Sequence, residues 1–104
     1  QKFLLIEVCI PDIRKMNRCV HIIIKGRVQG VFFRAAIEEK AHALKITGWV
    51  KNLSNNVEAL LEGKDEAIQE MLAFCIIGPK GAKVTGIELN EKACLDEFMD
   101  FTRE

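Results

Sequence analysis

Apolar and polar positions alternate along this chain in two distinct rhythms, one of strands and one of helices. From Cys19, "CVHIIIKG" is rich in β-branched residues, almost continuously apolar, and closed by a glycine. That pattern predicts a strand in the interior of a sheet. From Phe32 to Lys45, Phe33, Ile37, Ala41 and Leu44 recur at intervals of four, four and three, which puts them on one face of a helix. Glu38, Glu39, His42 and Lys45 fall off that stripe, as residues of a solvated face should. "GWVKNL" and "VEALLEG" then predict a strand pair around "SNN", where an asparagine tolerates the positive φ of a tight hairpin. A second helix is expected over Lys64 to Ile77, with Ile68, Met71, Leu72, Cys75 and Ile76 as its stripe and Asp65 and Glu66 in its first turn, where the helix dipole favours acids. "GPKG" ends it, "KVTGIELNE" reads as a strand and "EFMDFTRE" as a short terminal one.

The order is strand–helix–strand–strand–helix–strand with a final short strand. It predicts an α/β (α+β) sandwich of ferredoxin-like βαββαβ type, with two helices on one face of an antiparallel sheet of four to five strands. Residues 1–18 do not share this rhythm. They are either a non-native or upstream segment, with Met16 as a natural start, or an extra edge strand, and the pattern leaves both open. The domain proper is expected over residues 19–104.

Composition narrows the function classes. The 104 residues suit one domain, and 49% of them are apolar, enough for a core. The 15 basic residues balance the 15 acidic ones, without the excess or stripe expected of a nucleic-acid binder. No apolar run reaches the roughly 18 residues of a membrane helix, and Glu7 and Pro11 interrupt the opening "KFLLIEVCI". Cys9, Cys19, Cys75 and Cys94 form no CxxC pair and have no histidine at ligand spacing, so they are expected to be reduced, mostly buried thiols of a cytoplasmic protein rather than ligands of a metal.

Chemistry concentrates at the corner between the first strand and the first helix, "GRVQGVFFR" (Gly26 to Arg34). A helix start leaves backbone N–H groups unpaired and carries partial positive charge. The preceding residues Gln29, Gly30, Val31 and Phe32 include no good capping side chain, so those donors are open to an anion. Gly26 and Gly30 supply backbone freedom, and Arg34 supplies a planar fork suited to phosphate. Neither GxxxxGK[ST] nor GxGxxG is present, which removes the common nucleotide sites and leaves a site for a small phosphate group.

"GRVQGVFFR", followed by "GWVKN" (Gly48 to Asn52), "GPKGAKV" (Gly78 to Val84) and "FMDF" near the end, resembles the acylphosphatase family over about Val20 to Arg103. The resemblance implies hydrolysis of acyl phosphates without metal or cofactor and without a covalent enzyme intermediate. It implies that Arg34 binds the phosphate together with backbone N–H groups of the loop Gln29, Gly30, Val31, Phe32, Phe33 and Arg34, and that Asn52 orients the attacking water. The expected partners are a small acyl phosphate and inorganic phosphate as product and inhibitor. Nucleic acid and membrane are not expected, and the chain is expected to be a monomer.

The chain departs from the family pattern in two places. After Asn52 the run "LSNNVE" replaces the family's Asp-Gly and is one residue short, which leaves the hairpin register beyond Asn52 open. Lys45 stands where the family has glycine. Among the other conspicuous residues, Phe33 reads as core and Phe32 as a residue of the site mouth. Trp49 reads as core or hairpin cover, Arg27 as a solvent-facing strand end, and His21 and His42 have no readable acid partner. The runner-up function is a non-catalytic phosphate- or carbamoyl-phosphate-binding module, as at the start of hydrogenase-maturation carbamoyltransferases. The absence of downstream zinc-finger-like cysteines favours the enzyme.

Overall fold

The computed structural model describes residues 17–95 and 98–104. The readings made for residues 1–16, including Cys9 and Met16, lie outside the described residues.

The elements in chain order are β1 (Asn17–Arg27), α1 (Phe33–Leu44), β2 (Thr47–Leu53), β3 (Asn56–Lys64), α2 (Asp65–Ile77), β4 (Lys83–Lys92) and β5 (Phe101–Arg103). The strands form one sheet in the order β4-β1-β3-β2-β5, so β1 is interior, as its continuous apolar run predicted. The expectation of a wholly antiparallel sheet needs one correction: β5 joins β2 in parallel, with Gly48 opposite Phe101 and Val50 opposite Arg103. This follows from connectivity. β4 and β5 occupy opposite edges, so the chain between them crosses the sheet, and it returns running with β2 rather than against it.

Period-two alternation sorts the two sheet faces. Val20, Ile22 and Ile24 of β1, Val50 of β2, and Val57, Ala59 and Leu61 of β3 are buried in one core with Phe33, Ile37 and Ala41 of α1 and Ile68, Met71 and Cys75 of α2. The predicted stripe of α2 is narrower than expected: Ile76 is exposed, because the helix turns it away from the sheet in its last turn. Burial pushes the Cys75 thiol up to about 12, which keeps it protonated and inert in neutral solution. Cys19 is also buried, whereas Cys94 is exposed, in line with a mostly buried set among the described cysteines.

The opposite face carries Trp49 as a cover, with its ring 6.3 Å from that of His21 and Lys51 Nζ 4.9 Å above it. His21 does have an acid partner, since its Nε2 lies 2.6 Å from Glu58 Oε2 across the β1–β3 pair. The link was unreadable because it depends on strand register. Leu95 and Phe98 share a small cavity with Trp49 and Leu60 on this helix-free face. Arg18, at the start of β1, bridges Asp65 of α2 and Glu91 of β4 at 3.2 and 2.5 Å.

Two connections set the geometry of the site end. Lys45 ends α1 in the left-handed region at φ 60°, with its N–H directed to the Ala41 and His42 carbonyls. A glycine would hold that conformation at about 1 kcal/mol less. The β2–β3 hairpin keeps regular register: Asn52 pairs with Val57 and Leu53 with Asn56, leaving Ser54 and Asn55 as the loop. Ser54, and not an asparagine, takes the positive φ of 55°. The missing residue therefore shortens the loop without shifting the strand that carries Asn52.

Candidate active site

Antiparallel pairing of β3 with both β1 and β2, and parallel pairing of β5 with β2, make β1, β2 and β5 run in one direction. Their carboxyl ends meet at the end of the sheet where α1 begins. There Gln29, Gly30, Phe32, Arg34, Asn52 and Arg103 line a cavity of about 580 Å³. The structure thus brings together the two residues singled out in the sequence, Arg34 in the first turn of α1 and Asn52 near the end of β2.

The loop between β1 and α1 is built from unusual backbone. Gly26 has φ 126°, and a Cβ there would lie 2.1 Å from the Lys83 carbonyl oxygen of β4. Its freedom therefore serves the close approach of β4 at a β-bulge and not a ligand. Gly30 has φ 75° and open space around its missing Cβ, so at that position the turn itself requires glycine. Phe32 is the N-cap of α1 at φ 61°, ψ 26°, and makes no side-chain capping bond. A bulky residue in the left-handed region is a genuine outlier, strained by roughly 1–2 kcal/mol. The first N–H groups of α1 have no intrahelical acceptor by the geometry of any helix, and no side chain at the cap supplies one.

Each side chain of the loop has its own task. Gln29 was expected to offer its backbone N–H, and its side-chain amide is engaged separately, donating to the Ser54 carbonyl at 2.5 Å and the Asn56 carbonyl at 2.8 Å. It ties the loop to the hairpin that carries Asn52, leaving only its backbone for a ligand. Val31 packs against the core and lies beside Gly81. Phe33 is buried, with its ring in an edge contact with Phe74 at 6.3 Å, as a core residue should be. Phe32 is 84% exposed at the site mouth. Arg34 Nη1 donates to the Glu104 main-chain oxygen, which occupies one of its five donors and orients the guanidinium. Asn52 follows Val50 by two on β2, so it stands on the helix side beyond the end of the core.

Two residues at the site were not identified from the sequence. Arg103 lines the same cavity, and its Nε lies 3.4 Å from Glu38 Oε1 on α1. Period two put Arg103 on the same side as the buried Phe101, but its neighbourhood depends on the parallel β2–β5 register, which no local pattern encodes. Glu38 read correctly as a residue off the apolar stripe, one turn after Arg34. Arg27 is exposed at the end of β1, as expected. His42 is bonded to the Phe101 carbonyl oxygen at 3.1 Å and sits 3.4 Å from Asp100, so it anchors β5 to α1. Among the described residues no group of three His, Cys, Asp or Glu side chains is placed to hold a metal ion, and no helix is long and apolar enough to cross a membrane.

Fold and site together define a small α+β protein with a cavity at an uncapped helix start, lined by Gln29, Arg34, Asn52 and Arg103 among others. The family model for acylphosphatases matches residues 20–103. An acylphosphatase of Methylococcus capsulatus is 46% identical over 83 residues, covering 79% of this chain and 90% of that protein. The solved structure of an acylphosphatase from Coxiella burnetii superimposes with a TM-score of 0.82 at 36% identity, covering 88% of this chain and 96% of that one. Full-length HypF in its phosphate- and nucleotide-bound form is similar at 27% identity and a TM-score of 0.78, over 85% of this chain but 12% of HypF. The chain belongs to the acylphosphatase family.

Proposed function

We propose that this chain hydrolyses acyl phosphates to a carboxylate and inorganic phosphate, with the phosphoryl group held by the backbone of the 29–34 loop and by Arg34, and the attacking water oriented by Asn52. The observation that carries the reading is one cavity holding an uncapped helix start, Arg34 and Asn52 together. An acyl phosphate is an activated mixed anhydride. Water attacks phosphorus, the bond from phosphorus to the acyl oxygen breaks, the carboxylate leaves with the electron pair, and the proton released by water stays with the phosphate. Because the leaving group is good, positioning and charge stabilisation suffice and no strong protein base is required. Asn52 has both a donor and an acceptor on its amide, the pair needed to fix a water in orientation.

Inorganic phosphate, as product, then competes for the same loop. The proposed enzyme is a monomer acting on a small substrate in the cytoplasm, without a membrane partner, and the balanced net charge argues against nucleic acid as a partner. The accessory-module alternative is the less supported of the two, since identity is 46% to an acylphosphatase against 27% to HypF.

Turnover of benzoyl phosphate in the presence of EDTA is the direct test. Asn52→Ala separates catalysis from binding. It should lower kcat by roughly 10² or more, because misplacing the nucleophile is penalised heavily. The phosphate inhibition constant should change by less than about threefold, under ~0.7 kcal/mol. If both worsen together, Asn52 belongs to the cradle. If neither changes, it has no part in the reaction.

A further inference from the structure

Phe32 combines three properties that packing does not explain. It is 84% exposed, a large apolar side chain left almost wholly to water. It occupies a left-handed backbone position at φ 61°, where glycine or asparagine would be less strained. It lines the same cavity as Arg34 and Asn52. Strain and an uncovered aromatic ring at a catalytic mouth point to a role with the ligand, since the folded protein alone gains little from either.

The substrate has two halves, and the side chains around the cavity divide between them. The phosphoryl half is answered by the loop backbone and Arg34. Of the remaining side chains, the Gln29 amide is engaged by the hairpin carbonyls, Arg103 by Glu38, and the Phe33 ring by Phe74. Phe32 is the exposed apolar side chain left at the rim. An acyl group projecting from the bound phosphate would cover it and remove apolar surface from water on both partners.

We propose that Phe32 is a specificity-determining residue that reads the acyl half of the substrate, selecting acyl phosphates with an aromatic or extended apolar acyl group over short ones. The inference rests on the hydrolase reading above. It predicts that selectivity resides in this side chain while phosphate capture resides in the backbone beneath it.

The test compares kcat/KM for benzoyl phosphate and acetyl phosphate in the wild-type protein, Phe32→Asn and Phe32→Tyr. Asparagine tolerates the left-handed backbone and removes the ring, whereas tyrosine keeps the ring. The benzoyl-to-acetyl ratio should fall about five- to tenfold in Phe32→Asn, the scale on which apolar pockets discriminate between acyl groups, and stay within about twofold of wild type in Phe32→Tyr. An unchanged ratio in Phe32→Asn overturns the inference while leaving the hydrolase reading intact. So does a parallel loss of both activities at constant ratio, which would make Phe32 a support of the loop alone. A wild-type protein that turns over neither substrate overturns the hydrolase reading, and the inference with it.

Discussion

At the scale of single residues, the proposed role of Arg34 is one a point charge could not fill. Its guanidinium gives one donor to the Glu104 main-chain oxygen, and the rest of its planar fork is proposed to hold a phosphate. Arg34→Ala should therefore lower kcat/KM by about 10² to 10³, on the order of 3 kcal/mol or more of transition-state stabilisation. Arg34→Lys should recover little, because an ammonium cannot reproduce two parallel bonds. Steady-state rates on benzoyl phosphate, with circular dichroism to verify the fold, measure both. An alanine variant of near-wild-type activity would remove Arg34 from the site. Arg34 and Asn52 were legible in the sequence because each lies within a short motif of fixed spacing. Arg103 and Glu38 were not, because their meeting is made by the parallel β2–β5 register between residues distant in the chain. Lys45 shows the converse: it stands where the family has glycine and is left-handed at φ 60°, a conformation set by the local rules of helix ends.

At the scale of elements, the proposed reaction requires two parts of the site to hold still relative to one another: the β1–α1 loop, proposed to grip phosphate, and the hairpin that carries Asn52. The Gln29 side chain joins them through the Ser54 and Asn56 carbonyls. Gln29→Ala should lose about 1 kcal/mol of stability, typical for such side-chain bonds. It should lower kcat more than it raises the phosphate inhibition constant, on the order of tenfold for a small displacement of a positioning residue. Gln29→Glu should be worse than Gln29→Ala, since a carboxylate has no donor for two carbonyl oxygens and is repelled by them. Denaturant unfolding and the kcat comparison read the two effects separately, and an unchanged kcat in Gln29→Ala would show that the hairpin holds its position unaided. The elements themselves were legible almost throughout, with helix limits shifted by a residue at the ends, because the periods of four and two are set by local burial. The task of the Gln29 side chain was not, since only the fold brings the Ser54 and Asn56 carbonyls within its reach.

At the scale of the whole molecule, ligand binding and folding are one equilibrium. The cavity is assembled from the ends of β1, β2 and β5 and the start of α1, so it exists only when the sheet has closed in the order β4-β1-β3-β2-β5. An anion that binds this cavity and not the unfolded chain must stabilise the fold by RT ln(1 + [L]/Kd), about 2.7 kcal/mol at a hundredfold excess over Kd. For a domain of this size each kcal/mol moves the melting temperature by roughly 4–8 °C, so saturating inorganic phosphate should raise Tm by about 10 °C or more. Arg34→Ala should abolish most of that increment, because the proposed charge-assisted contact would be lost, while Asn52→Ala should retain it if that side chain acts on the water as proposed. Chloride at equal ionic strength controls for general screening, which carries no preference for a phosphate-shaped site. The three melting curves in phosphate and in chloride therefore separate cradle from water-holder without any measurement of turnover. An equal phosphate increment in wild type and Arg34→Ala would mean that the anion is held elsewhere in the molecule.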